Sequence, residues 1–171
     1  MSETGQYYGK YRGTVTNNID PMTMGRITVA VPDVSGMSPT SWAMPCVPIA
    51  GKKSGTFIVP QVGAGVWVEF EQGDPDHPVW TGGYWGSAAE MPALALAGVP
   101  GNPNIVLQSV QQHMIVISDL AGPTGGIMLK STSGASIIVN DTGIYIRNGK
   151  GASIELTGST VSVNSGALVV N

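Results

Sequence analysis

The last third of the chain repeats a short pattern in which two branched aliphatic residues enclose one other residue, and Gly, Ser, Thr and Asn separate the copies. Each copy is called a couplet below. The couplets are Ile105/Leu107, Ile115/Ile117, Ile127/Leu129, Ile137/Val139, Ile144/Ile146, Ile154/Leu156, Val161/Val163 and Leu168/Val170. Alternation with a period of two predicts β-strands that are apolar on one face, and the turn residues keep each strand short.

The couplets form a repeat. Ala135–Ile137 aligns with Ala152–Ile154, and the same shift aligns Ile144/Ile146 with Val161/Val163, which gives a period of 17 residues (152 − 135). One copy of such a strand cannot cover its own apolar face. The region therefore needs neighbouring coils or identical chains, which predicts a stacked β-structure in an oligomeric shaft.

The first half of the chain has separate strands divided by turn residues. The expected strands are Tyr11–Thr16, Gly25–Val31, Ala43–Pro48, Thr56–Val59, Gly65–Glu71 and Pro78–Tyr84. Turn sequences rich in Asn, Asp, Gly and Pro connect them. In the fifth strand, Val66, Val68 and Phe70 face one way while Trp67, Glu69 and Glu71 face the other, so one face of this strand is exposed to solvent. The pattern predicts a small antiparallel barrel of the OB type.

Two shifts in composition predict where the domains end. Ten of the eleven aromatic residues lie at or before Trp85, and eleven of the twelve prolines lie at or before Pro103. We expect an OB domain over residues 1–86, a linker over 87–104 and a needle over 105–171. Leu94 and Leu96 leave open a second interpretation of the linker, as an arm that packs on a partner subunit.

The charge pattern does not favour a nucleic-acid binder. The chain has 8 Lys and Arg against 11 Asp and Glu, a net charge of −3. The needle is formally neutral, and no basic cluster is larger than Lys52-Lys53. The single cysteine, Cys46, excludes a disulfide within the chain. The N-terminus lacks the pattern of a signal peptide, so synthesis in the cytoplasm is expected.

Few residues suggest chemistry. The most closely spaced carboxylates in the sequence are Glu69, Glu71, Asp74 and Asp76. Their positions are typical of a solvent-exposed strand face and of the turn that follows it. The histidines are His77 and His113, and neither has the neighbours of a metal ligand. No catalytic motif occurs, so we expect no enzyme, no cofactor and no metal.

The aromatic residues of the first domain offer a further alternative. Stacking platforms for bases or sugars are common on OB barrels, and the candidates here are Trp42, Trp67, Trp80, Tyr84 and Trp85. Base stacking needs a basic groove beside it, which this sequence lacks. Core packing and contacts to a protein partner are the favoured roles.

The first domain resembles the OB domain of central spike proteins from contractile tails, the family found in phage baseplates, phage-like injection particles and type VI secretion. The resemblance spans Tyr11 to Trp85. It depends on Gly25-Arg26-Ile27, Val29, Pro32, Trp42, Pro48-Ile49-Ala50-Gly51, Gly55, Pro60-Gln61-Val62-Gly63, Val66-Trp67-Val68-Glu69-Phe70, Gly73-Asp74-Pro75-Asp76-His77-Pro78-Val79 and Gly82. The end of the chain, Val163 to Val170, is similar to the end of the triple-stranded β-helix that follows this barrel in the family.

The resemblance implies an all-β homotrimer, in which three OB domains form a collar and three tails intertwine as a triple-stranded β-helix. The expected trimer core is Ile127, Leu129, Ile137, Val139, Ile144, Ile146, Ile154, Leu156, Val161, Val163, Leu168 and Val170. Lys52 and Lys53 are the candidate contacts to a baseplate hub protein. Some family spikes carry a lysozyme domain or an iron-binding His-x-His tip. The linker of about eighteen residues is too short for the lysozyme domain, so no peptidoglycan hydrolysis is expected. The His-x-His tip is also missing, so a separate PAAR-type tip protein is expected to bind at Leu168, Val170 and Asn171.

The function that follows is a structural central spike, a baseplate component of a virion or of an extracellular phage-like particle. It is expected to be held by the hub and driven through the target envelope when the sheath contracts, with transient contact to the target membrane. Three alternatives remain at this point: an OB protein that binds single-stranded nucleic acid or sugar, an envelope-degrading enzyme, and a trimeric fibre that binds a receptor.

Overall fold

The computed structural model describes residues 5–170, and the side chains of residues 169 and 170 are left out of that description. The regular structure of the described chain is almost entirely β, with very little helix, and the chain forms two compact units, one ending at Glu90 and the other beginning at Met91. One short α-helix, α1, spans Pro32–Ser35. Within the described residues, no helix has the length and hydropathy that a membrane span requires.

The N-terminal unit contains seven strands. They are β1 Tyr11–Asn17, β2 Thr28–Ala30, β3 Met44–Pro45, β4 Ala50–Gly51, β5 Ser54–Gly55, β6 Gly65–Phe70 and β7 Pro78–Tyr84. Five form one sheet in the order β2-β1-β6-β7-β3, and β4 and β5 form a separate hairpin. All pairs are antiparallel except β3 with β7.

This sheet closes on itself through two backbone hydrogen bonds. The amide of Ala43 donates to the carbonyl of Ile27 at 2.8 Å, and the amide of Ile27 donates to the carbonyl of Ala43 at 3.2 Å. These residues adjoin β3 and β2, the two edge strands of the sheet, so the edges meet. The result is the five-stranded barrel expected of an OB fold.

The barrel buries the residues that the alternating pattern assigns to its inside. The core consists of Val15, Ile27, Val29, Val31, Ala43, Val66, Val68, Phe70 and Trp80. The strands pack closely at Gly13, where an added Cβ would lie 2.7 Å from a methyl carbon of Val29. The fifth expected strand behaves as predicted, because Val66, Val68 and Phe70 are buried while the residues between them are not.

The prediction of a strand over Thr56–Val59 was wrong. These residues follow the β4–β5 hairpin without a strand partner, although the amide of Thr56 donates to the carbonyl of Ile49. Phe57 and Ile58 are exposed, and Pro60, which follows the expected strand, has no amide hydrogen to continue a ladder. A run of residues with high β-propensity forms no strand where no partner edge is free.

The C-terminal unit is a single antiparallel sheet whose strands are adjacent in chain order. The strands are β8 Ile105–Gln108, β9 Met114–Ser118, β10 Gly126–Lys130, β11 Ser136–Asn140, β12 Gly143–Arg147, β13 Ser153–Thr157, β14 Thr160–Val163 and β15 Leu168–Val170. Each couplet lies on its own strand, and each turn comes where the sequence places Gly, Ser, Asn or Asp. Short 3-10 turns, among them Ala93–Leu96 and Asn164–Gly166, complete the unit.

Candidate assembly interface

The strand register of the C-terminal unit aligns the couplets into two unbroken rows. One row passes through Ile105, Ile117, Ile127, Val139, Ile144, Leu156, Val161 and Val170. The other passes through Leu107, Ile115, Leu129, Ile137, Ile146, Ile154, Val163 and Leu168. Because strand residues two apart point to the same face, both rows lie on one face of the sheet.

That apolar face is open in a single chain. From Ile127 to Leu156 the couplet side chains retain between 37% and 50% of their accessible surface. An uninterrupted apolar surface of this kind is unusual on a soluble monomer and typically marks an interaction site. Near one end of the two rows, a groove of about 440 Å³ lies between Ile115, Leu129 and Ile137.

The opposite face of the same sheet carries the charges. The charged strand residues of this unit are Lys130, Arg147 and Glu155, and each lies out of phase with the couplet of its strand. Arg147 Nη2 pairs with Glu155 Oε1 at 2.9 Å, and its guanidinium lies 5.0 Å from the ring centre of Tyr145. The same opposite face also carries Val106, Val116, Met128 and Ile138, and Val116 is buried within the chain. The couplet face differs in carrying none of the charged strand residues.

The last strand is positioned by a tight turn. Asn164 and Ser165 have positive φ values of 49° and 56°, and the side-chain oxygen of Asn164 accepts a hydrogen bond from the amide of Ser153 at 3.0 Å. Leu168 then pairs with Val163 and is exposed. Of the expected tip-protein contacts, Asn171 and the side chain of Val170 lie outside the described residues.

The N-terminal unit has an apolar groove of about 510 Å³ beside the β4–β5 hairpin. Its lining includes Met24, Met44, Ile49, Phe57 and Ile58, all of them exposed, and Trp80. The indole nitrogen of Trp80 donates to the carbonyl of Gly25 at 3.2 Å, which fixes that ring in place. Lys52 and Lys53 form the turn of the hairpin, and Lys53 has a φ of 58°.

A carboxylate organises the loop that forms one side of this groove. The Asp20 side chain is only 3% exposed and accepts hydrogen bonds from the amides of Met22, Met24 and Arg26 at 2.8–3.2 Å. It also pairs with the Arg26 guanidinium at 2.7 Å, and this guanidinium lies 5.4 Å from the ring of Trp42. The Arg26 pairing and the backbone donors lower the pKa of Asp20 well below its usual range. Nothing in the sequence marks this cluster, because Asp20 there is an ordinary residue of an Asp-Pro turn.

Two of the carboxylates near the end of β6, Glu69 and Asp74, have local partners. Glu69 pairs with Lys10 at 2.8 Å on the surface. Asp74 accepts from the amide of Asp76 and pairs with His77, and these two contacts lower its pKa. Across the described part of the chain, no group of three or more His, Cys, Asp or Glu side chains could hold a metal ion.

The aromatic residues do not leave an open stacking platform on β6 and β7. Trp67 and Tyr84 lie 5.1 Å apart, and the Arg12 guanidinium covers both rings at 5.6 and 5.4 Å. Trp80 belongs to the core, as expected, whereas Trp85 is exposed. This packing gives no support to the alternative of a base- or sugar-binding barrel.

The geometry agrees with what comparisons with known protein families find. Residues 11–85 match the type VI secretion system/phage-baseplate injector OB domain. Residues 104–169 match the phage baseplate V C-terminal trimerisation domain. No curated protein matches the chain closely enough to count as a relative.

The two matches come in the order expected and together span most of the chain. They confirm the recognition and the all-β fold class drawn from the sequence. They assign the chain a structural role in contractile-tail injection, as a homotrimeric component of the baseplate. The chain belongs to the phage baseplate V family of central spike proteins.

Proposed function

We propose that three copies of the chain bury their couplet rows against one another along a shared threefold axis, and that the resulting needle is driven through the target envelope when the sheath contracts. The observation that carries this proposal is the pair of unbroken aliphatic rows on one face of the sheet, which carries none of the charged strand residues. Sixteen aliphatic positions line one face, while the three charged strand residues lie on the other. The trimer core would be the couplet residues from Ile127 to Val170.

The energy available from this burial is large. Covering the remaining surface of a half-exposed aliphatic side chain contributes on the order of 1 kcal/mol. Twelve such positions in each of three chains amount to tens of kcal/mol before entropy is subtracted. An assembly of this kind resists bending and denaturation, because no strand can leave without exposing its couplet.

The dimensions suit penetration of a membrane. Neighbouring strands of a sheet lie about 4.8 Å apart, so eight strands in sequence extend roughly 34 Å. The hydrocarbon core of a bilayer is about 30 Å thick. The needle carries only six charged residues, and this small number lowers the desolvation cost of transient contact with that layer.

The N-terminal unit would hold the needle to the baseplate hub. Support comes from the apolar groove beside the β4–β5 hairpin and from Lys52 and Lys53 at the turn of that hairpin. A rigid apolar surface edged by charge is typical of a protein-binding site. At the other end, a PAAR-type tip protein would bind Leu168, Val170 and Asn171.

The role is mechanical. We propose that the chain has no catalytic turnover, uses no cofactor and binds no nucleic acid in the assembled particle. The short connection between the two matched domains, residues 86–103, leaves little room for an inserted hydrolase domain, and Glu69 and Asp74 on the barrel already have local partners.

The experiment that tests the proposal places a charge on the axis. Ile154→Asp would bring three like charges together in an apolar core, and the SDS-resistant trimer of the parent protein should be lost. Ser162→Asp is the matched control, because Ser162 lies in the row between the couplets, on the opposite face. That variant should remain trimeric in gel electrophoresis and sedimentation velocity.

Two results would contradict the proposal. A trimer unaffected by Ile154→Asp would show that the couplets do not form the core. A parent protein that sediments as a compact monomer would exclude the needle altogether.

A further inference from the structure

The segment Met91–Asn104, here called the arm, is a fixed part of the C-terminal unit. Asn104 fastens it at the start of β8: its side-chain amide donates to the carbonyl of Leu94 at 2.8 Å, and its backbone amide donates to that of Ala95 at 3.2 Å. Asn102 donates to the Asp119 carboxylate at 3.0 Å. The segment expected to be a linker therefore has a defined conformation, with a 3-10 turn over Ala93–Leu96.

This fixed arm presents large apolar side chains outward. Leu96 is 64% exposed and Val99 is 49% exposed, while Ile105 and Leu107 on the adjoining strand are 66% and 58% exposed. In the middle of the sheet the couplets are less open, at 37% to 50%. More uncovered apolar surface thus lies at the β8 end of the unit than at its centre, and β8 is also an edge strand, which proteins usually cover.

The composition of this end indicates what covers it. No Asp, Glu, Lys or Arg occurs from Met91 to Ser118, and the nearest charges are Glu90 and Asp119. A partner that binds by charge complementarity would find nothing to pair with along this stretch. A second copy of the chain brings the same uncharged apolar surface, and the arm runs directly into the strands of the trimerisation domain, which the family match begins at residue 104.

We infer that the arm extends the trimer interface toward the N-terminus beyond the matched domain, with Leu96 and Val99 packing against a second copy of the chain. The inference rests on the proposed trimer. In the assembly the arm would cover the β8 end of each sheet and fasten the start of the shaft. It makes residues 91–104 part of the interface instead of a spacer.

A labelling experiment on the full chain tests the contact. Cys46→Ser removes the native thiol, and Leu96→Cys or Ser159→Cys then places a single thiol on the arm or at the exposed turn between β13 and β14. In the intact trimer, a maleimide should label the Leu96→Cys variant at least tenfold more slowly than the Ser159→Cys variant. After denaturation the two rates should be equal.

The outcomes separate the arm from the trimer itself. Equal labelling rates on an intact trimer would overturn the inference and leave the proposed function standing, because Leu96 would then be as open as in a single chain. A monomeric Cys46→Ser parent would overturn both.

A second pair of variants covers the case in which the thiol perturbs assembly. Leu96→Asp should lower the melting temperature of the trimer at a fixed protein concentration, while Ala97→Asp, at the exposed neighbouring position, should change it much less. Leu96 is largely exposed within its own chain, so a loss at this position reports a contact between chains. Equal melting temperatures for the two variants would contradict the inference.

Discussion

The barrel and the C-terminal sheet are built from similar alternating strands, yet they differ in how far their apolar side chains are buried within one chain. In β6, Val66 and Val68 are fully buried within the chain, whereas in β13, Ile154 and Leu156 remain well exposed. The barrel closes through Ile27 and Ala43 and covers its own core, whereas the C-terminal sheet has no such closure among the described residues. Alternation alone thus indicates that a face must be covered, and the topology decides whether the same chain or another copy covers it.

This difference has a thermodynamic consequence. Unfolding of a self-contained barrel does not depend on protein concentration, whereas unfolding of a shaft held together by three chains does. The variants below should therefore separate into two classes when each is melted at several concentrations.

The largest effect is expected from Gly143→Ala in the shaft. Gly143 has a φ of 153°, and an added Cβ would lie well inside contact distance of the Leu156 carbonyl oxygen on the neighbouring strand. Pairing of β12 with β13 would have to give way, at a cost of about 3 kcal/mol per chain, which is repeated in each of the three chains. We expect loss of the SDS-resistant trimer while the barrel still gives its own melting transition in calorimetry.

Gly151→Ala is the matched control for that change. Gly151 also has a positive φ, 105°, but an added Cβ would have no heavy atom within 4 Å. It should cost only backbone strain, about 1 kcal/mol, and the trimer should survive. If both variants lost the trimer equally, the cause would be backbone strain and not the close approach of the strands.

The next effect compares the two cores directly. Val68→Ala removes fully buried methyl groups from the barrel and should cost about 2 kcal/mol, independent of protein concentration. Ile154→Ala should cost about 2 kcal/mol or more per chain, and its melting temperature should fall further as the protein is diluted. Concentration dependence in the Val68→Ala variant, or its absence in the Ile154→Ala variant, would contradict the division between the two units.

Much of this arrangement can be predicted from the sequence, because strand alternation and turn residues are local properties. The couplets locate β9 to β14 closely, and β7 spans the expected Pro78–Tyr84. The sequence predicts a barrel but not the residues that close it, since the closure depends on two hydrogen bonds between Ile27 and Ala43, which adjoin the ends of different strands. The wrong prediction of a strand at Thr56–Val59 has the same cause. β-propensity is a local property of the sequence, whereas the presence of a free partner edge depends on the whole fold.

The candidate surfaces were only partly predictable for a related reason. The couplets identify an apolar face because their spacing repeats, whereas the groove on the barrel gathers residues from separate parts of the chain, among them Met24, Phe57 and Trp80. The sequence offered Leu94 and Leu96 as a hint of an interface arm. It gave no sign that Asn104 and Asn102 fasten that arm to the sheet, because a side-chain amide can bond to any backbone within reach.

A smaller effect is expected at the Asp20 loop of the barrel. The folded pKa of Asp20 is lowered, so its contribution to stability is present above the ordinary carboxyl pKa of about 4 and is lost as the pH falls further. Asp20→Asn should lower the melting temperature of the barrel by a few degrees at pH 7. On acidification, the melting temperature of this variant should decrease less than that of the parent protein. Calorimetry from pH 7 to pH 3 checks this, and a variant with an unchanged pH profile would contradict the role of Asp20.

The smallest effect concerns the hub, where the barrel surface would meet a partner of a different sequence. Exposed lysines act mainly on association rate and contribute little to affinity, so Lys52→Ala with Lys53→Asn should weaken hub binding only a few-fold, and less at high salt. Asn is chosen at position 53 because it tolerates the positive φ of that turn.

Lys150→Ala, in a turn of the shaft, is the matched charge control and should leave hub binding unchanged. The measurement is the binding of the purified parent trimer and of both variants to the hub at two salt concentrations. An equal loss of binding in the Lys150→Ala variant would assign the effect to net charge and would contradict the placement of Lys52 and Lys53 in the interface.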